Sequence, residues 1–476
     1  MSHVHFIGVG GSGMSAVARL TAARGHAVTG SDMRESHYFL ALREAGMDVR
    51  IGHDAAFVDG VDTVVISSAV RETNPELARA RERGIEVIHR SEALVRALDD
   101  QRLIAVAGTH GKTTTSAMVA HVLHGAGIDA GFAVGARVFG VEGAVAGGYA
   151  GTAGISAVEA DESDGSFLRY HPEVAVLLNI EPDHLDHYGT VEALHEAFVA
   201  FASDCRTLVA CADDPVVRDV ASQAAAAGVE VVTYGSEGSG ADIEVTPTHL
   251  LLSRQVDPFG SPQARDEPKG SIRPLGEGDG AAAYPLSVPV PGAHMRLNAA
   301  AAWAAAVAVG ADPSRAADAV ATFAGTGRRY QARGEAAGVA VVDDYAHHPT
   351  EVAALLAAAR SAGAGRIVVL FQPALFSRTQ AHAAAFGHAL SIPDADVVIA
   401  GVHGDREDPI PGVTSQSILD AVESRDGSTA RVVEDLAEAA AQAARLARPG
   451  DLVLTVGSGP VTYAADWILD ALRERA

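Results

Sequence analysis

Twice the chain runs an apolar strand straight into a glycine turn and out into a helix: at residues 5–20, HFIGVGGSGMSAVARL, and at residues 103–118, LIAVAGTHGKTTTSAM. A strand that turns this tightly into a helix belongs to a parallel sheet, because the helix must carry the chain back before the next strand starts. The turn also leaves glycine N–H groups and a helix N-terminus facing outward, where they suit phosphate oxygens. The alternation continues. HAVTGSD, TVVISSAV and IEVIHR read as strands before residue 98. ISAVEA, VAVLLNI, TLVACA and EVVTYG follow it, and VAVVDD, RIVVLFQP, DVVIAGV and DLVLTVG lie beyond residue 326.

The second turn is the sharper signal. Gly108, Thr109, His110, Gly111, Lys112, Thr113 and Thr114 form a shortened phosphate loop, with Val106 where the G-x-x-x-x-G-K-[ST] pattern has glycine. Lys112 is one of only two lysines, with Lys269, among 36 basic residues, so its place in this loop is informative. Lys112 suits the β- and γ-phosphates and the Thr113 hydroxyl suits Mg²⁺. Candidate metal ligands stand after two neighbouring apolar runs: the carboxylates of Glu159, Asp161, Glu162 and Asp164 in one loop, and Asp183 and Asp186 with the imidazole of His184, an unusual Mg²⁺ ligand, in the next. Strand C-terminal ends share one edge of a parallel sheet, so both loops are expected to face the phosphate loop.

The first turn is ambiguous by itself. Gly8, Gly10 and Gly13 fit G-x-G-x-x-G, and Asp32 stands 19 residues after Gly13, where a dehydrogenase binds a ribose hydroxyl. The expected architecture is three tandem α/β domains. A Rossmann-like domain spans 1–98, a central phosphate-loop ATPase domain with a mainly parallel sheet spans 99–325, and a second Rossmann-like domain spans 326–476. Residues from about 253 to 283, rich in Gly, Pro, Asp and Arg, read as a mobile surface loop.

Bulk composition narrows the partners. A formal charge of −24 with no basic patch excludes nucleic acid and anionic lipid. Cys205 and Cys211 are too few for a disulfide scaffold and read as small core residues. The chain opens on no secretion leader and holds no window of about 18 apolar residues, so a cytoplasmic protein with no membrane span is expected.

GTHGKTTT, EADESD and NIEPDHLDHYG, with GVGGSGMS, SSAVRETNPE, DDYAHHPTEV and FQPALFSRT, resemble the Mur ligase family from about residue 4 to 461. The resemblance implies that the first turn holds the UDP part of a nucleotide sugar, through Gly8, Gly10, Gly11, Gly13, Met14, Asp32, Ser67 and Ser68. It implies ATP on Gly108–Thr114, with Asn298 at adenine, Arg329 at the phosphates and Asp344 at the ribose. One Mg²⁺ falls to Thr113 and Glu159 and a second, near the acceptor carboxylate, to His184; catalysis falls to Lys112, His184 and His348, and the amino-acid side to Tyr345, His347 and Arg378. The third unit must close over ATP to complete the site. The implied reaction is phosphorylation of the lactyl carboxylate of UDP-N-acetylmuramate and attack on the acyl phosphate by the amine of L-alanine. Most of the family carries a lysine where this chain has Val199, and the alanine-adding member is the one that lacks it. Ala374 departs from a family histidine on the amino-acid side, Leu375 and Phe376 from an arginine and a tyrosine, Met295 from an asparagine, and GSGP at 457–460 from GAGD. The readings kept open are a ligase recycling a murein tripeptide onto the same sugar, an NAD-dependent oxidoreductase, and a non-catalytic nucleotide-sugar binding protein. A monomer or weak homodimer is expected.

Overall fold

The computed structural model describes residues 2–255, 273–274, 282–404 and 407–475. Most of the loop expected at 253–283 lies outside them. The described chain divides into two compact units, Met1–Pro289 with Met295–Ala324, and Val290–His294 with Gly325–Ala476.

The first unit begins with β1 (His3–Ile7), α1 (Ser12–Ala23), β2 (Ala27–Asp32), α2 (His37–Glu44), β3 (Asp48–Ile51), β4 (Thr63–Ile66), α3 (Pro75–Glu82), β5 (Glu86–His89) and α4 (Arg90–Ala97). These strands form a parallel sheet in the order β3-β2-β1-β4-β5. A second sheet draws on β6 (Arg102–Ala107), α5 (Lys112–Gly125), β7 (Gly131–Ala133), β8 (Gly148–Tyr149), β9 (Ile155–Glu159), β10 (Val174–Leu177), α6 (Leu185–Tyr188), α7 (Val191–Ser203), β11 (Thr207–Cys211), α8 (Pro215–Ala226), β12 (Glu230–Ser236), β13 (Ile243–Val245) and β14 (His249–Leu252). A short antiparallel pair, β15 (Arg254–Gln255) and β16 (Arg273–Pro274), precedes β17 (Ala283–Pro285), α9 (Ala293–Ala308) and α10 (Pro313–Val320). The ten strands of the second sheet run β17-β14-β13-β12-β11-β10-β6-β9-β7-β8, parallel from β13 to β7.

The second unit holds β18 (Gln331–Ala336), β19 (Val339–Asp344), α11 (Pro349–Ser361), β20 (Ile367–Phe371), α12 (Phe376–Leu390), β21 (Ala395–Ala400), α13 (Gln416–Leu419), β22 (Thr429–Val433), α14 (Leu436–Leu446), β23 (Leu452–Val456) and α15 (Val461–Arg473). Its sheet runs β18-β19-β23-β20-β21-β22, with only β18 antiparallel.

Local chemistry explains the boundaries. Asn74, Asp214 and Asp312 each accept backbone N–H groups of the helix they precede, and each is followed by proline at the first helical position. β6, β10 and β21 are buried throughout apart from Arg102, as strands covered on both faces must be. In the second unit one apolar cluster, including Val341, Leu370, Ala443 and Ile468, fills one side of the sheet. Another, including Leu356, Phe371, Phe386 and Ile399, fills the other. The alanine-rich α9 is core-facing, and its Trp303 is buried with Nε1 donating to the Pro313 carbonyl at 2.9 Å. Cys205 and Cys211 are free thiols. Among the described residues no helix is long and apolar enough to cross a membrane.

Candidate active site

The first glycine turn closes the end of β1. Gly8 has φ +81°, and the N–H groups of Gly8 and Val9 donate to the Ser31 carbonyl at 2.8 and 3.0 Å. Asp32, ending β2, accepts the Gly10 N–H at 2.9 Å through Oδ2 and the Arg34 N–H at 3.1 Å through Oδ1. A side chain at Gly10 would meet the Asp32 carboxylate and the Ser36 hydroxyl, each at 3.0 Å. Asp32 therefore braces the turn. Gly13 is needed for another reason: a Cβ there would lie 2.8 Å from Arg90 Nη1, so the guanidinium fills the space a side chain would take. Met14 is buried, with its Cβ 3.8 Å from where a Cβ on Gly11 would stand. Ser67 and Ser68 follow β4, and Ser68 Oγ donates to Asp164 at 2.9 Å. Strand order reverses between β1 and β4, and ligands of such sheets bind at that switch.

The second turn sits mid-sheet. β6 lies between β9 and β10, so the loops after all three share one edge, as expected. Gly108 has φ +134° and Gly111 φ +88°. A Cβ on Gly108 would lie 3.0 Å from the Asn179 carbonyl oxygen; one on Gly111, 3.3 Å from Asn298 Oδ1. Asn179, which the sequence reading passed over, clamps the loop. Its Oδ1 accepts the His110 N–H at 2.7 Å, its Nδ2 donates to the His110 carbonyl at 3.0 Å, and its own carbonyl accepts the Thr109 N–H at 2.9 Å. Lys112 Nζ donates to the Gly108 and Thr109 carbonyls at 2.7 and 3.2 Å and pairs with Glu162 at 2.7 Å. Thr113 Oγ1 donates to Glu159 at 2.7 Å, and the other Glu159 oxygen accepts the Gly135 N–H at 2.8 Å. Thr114 is buried in the first turn of α5. His184, at φ +54°, sets Nε2 3.9 Å from Glu162 and 3.6 Å from Asp183.

The charges here are coupled. Burial opposes the ammonium of Lys112, but Glu162 and Asp161 outweigh it, and its pKa is raised. Burial pushes Glu162 up against the pull of Lys112. Asp161 stays ionised despite burial, held at about 2 by Lys112 and Arg90. Thr113 and Glu159 offer adjacent hard oxygens, the donor chemistry that suits Mg²⁺.

In the second unit the expected residues gather after β19. Both Asp344 oxygens accept backbone N–H groups, from Tyr330 at 2.7 Å and Ala346 at 2.8 Å, and burial pushes its pKa to about 6. The guanidinium groups of Arg328 and Arg329 stand 4.8 and 5.1 Å from the Tyr345 ring centroid. Glu351 accepts the N–H groups of His347 at 2.9 Å and His348 at 3.2 Å and lies 3.8 Å from Arg329. Burial holds His347 down at about 4, with the charges of Arg378 and Arg329 adding to it, so the ring is neutral. The rings of His348 and His382 meet edge-on at 5.1 Å, which ties the start of α11 to α12, the helix carrying Arg378. Arg328, another residue the sequence reading missed, donates to the carbonyls of Gly457 at 2.6 Å, Ser458 at 3.1 Å and Gly459 at 3.2 Å. It thereby holds the GSGP turn. Ala374 is buried and bridges in parallel to His403.

Mainly parallel sheets, with a lysine-bearing phosphate loop at a sheet edge faced by two acidic loops, define a phosphate-loop α/β class, and the chain belongs to the Mur ligase family. Residues 3–102 match the Mur ligase family, catalytic domain; 106–306 match the Mur ligase middle domain; and 328–459 match the Mur ligase, glutamate ligase domain. Within the family, the chain is 48% identical to a UDP-N-acetylmuramate–L-alanine ligase of Kineococcus radiotolerans, over 100% of this chain and 97% of that one. It is 46% identical to one of Renibacterium salmoninarum, over 99% and 96%. The crystal structure of the UDP-N-acetylmuramate-alanine ligase of Thermotoga maritima superposes with a TM-score of 0.80 at 26% identity, covering 100% of both chains.

Proposed function

We propose that the protein joins L-alanine to the lactyl carboxylate of UDP-N-acetylmuramate, with ATP converted to ADP and phosphate, in cytoplasmic synthesis of peptidoglycan precursors. The observation that carries this reading is the loop Gly108–Thr114, with Lys112 on Glu162 and Thr113 on Glu159, in a chain 48% identical over its length to a ligase of that name. The lactyl carboxylate attacks the γ-phosphorus and ADP leaves. The amine of L-alanine then attacks the acyl carbon, and phosphate leaves with the carboxylate oxygen that had joined it.

Each residue has a part. Gly8, Gly10, Gly11, Gly13, Met14, Asp32, Ser67 and Ser68 bind the UDP sugar. The backbone of Gly108–Thr114 cradles the ATP phosphates, with Asn298 at adenine, Arg329 at the phosphates and Asp344 at the ribose. Lys112 screens the charge that two polyanions bring together. Thr113 and Glu159 would hold one Mg²⁺ and His184 a second, which neutralise phosphate charge when bound. Tyr345, the neutral His347 and Arg378 receive the amino acid, and His348 completes the reaction centre. Three domains, 1–98, 99–325 and 326–476, divide these tasks in a monomer or weak homodimer. A second reading, ligation of a murein tripeptide to the same sugar, draws on one observation: Ala374 leaves the amino-acid side without the bulk of a histidine.

The test is isotopic. With the lactyl carboxylate of UDP-N-acetylmuramate labelled with oxygen-18, one labelled oxygen is expected in the released phosphate and one in the new amide. Unlabelled phosphate would rule out the acyl-phosphate route.

A further inference from the structure

We propose that Arg90 is the cation that binds the diphosphate of the ligand on the first glycine turn, held ready for it by Asp161. This rests on the reading that the turn takes a nucleoside-diphosphate sugar. Arg90 opens α4 at the end of β5 and reaches back to α1. Its Nη1 occupies the space left by the absent Gly13 side chain, 2.8 Å from where a Cβ would stand. Its Nη2 donates to Asp161 Oδ2 at 2.8 Å, and the side chain remains 26% exposed.

The placement is specific. Gly13 belongs to the first turn of α1, the helix whose N-terminus faces the switch between β1 and β4. Asp161 belongs to the loop after β9, beside the second phosphate loop. The guanidinium thus lies between the two phosphate-binding turns, anchored on one and laid against the other. Arginine is always charged and offers five N–H donors in a fixed fork, so a single ion pair to Asp161 leaves its geometry suited to phosphate oxygens. Asp161 fixes the rotamer of the empty site and competes mildly with a bound diphosphate for the same charge.

Binding is read by calorimetric titration without ATP, using UDP-N-acetylmuramate, UDP and UMP as probes. Arg90→Gln is expected to weaken UDP-N-acetylmuramate and UDP by about tenfold or more and UMP far less. Arg90→Lys, which keeps the charge and loses the fork, falls between. Asp161→Asn is expected to bind UDP as well as the parent protein or more tightly. A strap that only joins two loops predicts another pattern: both variants break one ion pair, so both weaken all three probes alike. That pattern, or parental affinity in Arg90→Gln, overturns the proposal. Failure of the unaltered protein to bind UDP-N-acetylmuramate overturns the nucleotide-sugar reading together with it.

Discussion

For the Lys112–Glu162 pair, stability and the proposed catalytic role can be separated by substitution. Their side chains are 13% and 2% exposed, so removing the lysine alone strands a buried carboxylate. Lys112→Met is expected to cost about 3 kcal/mol of stability and at least about 10³-fold in turnover. Adding Glu162→Gln is expected to restore most of the stability and none of the turnover; thermal melts and phosphate release separate the two. Asp344 makes a pH prediction. Its folded pKa of about 6 lies above the ordinary carboxylate value because burial disfavours the charge. Its contribution to stability is therefore fully present below about pH 4 and is lost as pH rises through 6. Nucleotide binding runs the other way, since the ionised form is the better acceptor for ribose hydroxyls. KM for ATP is expected to rise as pH falls through about 6, and Asp344→Asn to show a high KM without that limb. His347, held near 4, stays neutral across the range and adds no limb of its own.

At the scale of elements, the glycine turns carry the argument. Gly108 combines φ +134° with a backbone oxygen 3.0 Å from any Cβ, and backbone cannot step aside as a side chain can. Gly108→Ala is expected to cost roughly 2 kcal/mol and to raise KM for ATP at least tenfold. A melt and an ATP titration check it. These turns were legible in sequence because strand, glycine and helix stand in direct succession. The neighbourhood of β9 and β10 about β6 was legible from the acidic residues at their ends. Other elements were not. α3 and α4, PELARARE and RSEALVRA, span barely two turns each and mix charge with alanine, so their periodicity is weak. With α4 unread, Arg90 had no place in the site. β18, QARGEA, has no apolar alternation; it is a largely exposed edge strand held by its ladder to β19. Asn179 clamps a loop 69 residues earlier in the chain, a contact that only the fold supplies.

Over the whole molecule, residues proposed for ATP fall in both units, and those for the sugar in the first alone. The family and its order of domains were legible because seven motifs recur in one sequence along the chain. The choice of L-alanine was legible from one position, Val199 in place of the family lysine, while Ala374, Leu375 and Phe376 depart from the family pattern and gave it no support. The small Ala374 predicts tolerance of bulk: Ala374→His is expected to leave KM for L-alanine within about threefold and to reduce any activity with larger acceptors. Competing substrates in one assay check this.

Phosphate release by this protein is expected to require both the nucleotide sugar and the amino acid. The direct measurement is phosphate release from Mg·ATP, with and without UDP-N-acetylmuramate, against L-alanine, glycine, L-serine, D-glutamate and the murein tripeptide. Rapid release is expected only with the nucleotide sugar and L-alanine together, with glycine and L-serine slower. Release with the tripeptide and not with L-alanine, or none with any acceptor despite tight binding of the sugar, would contradict it.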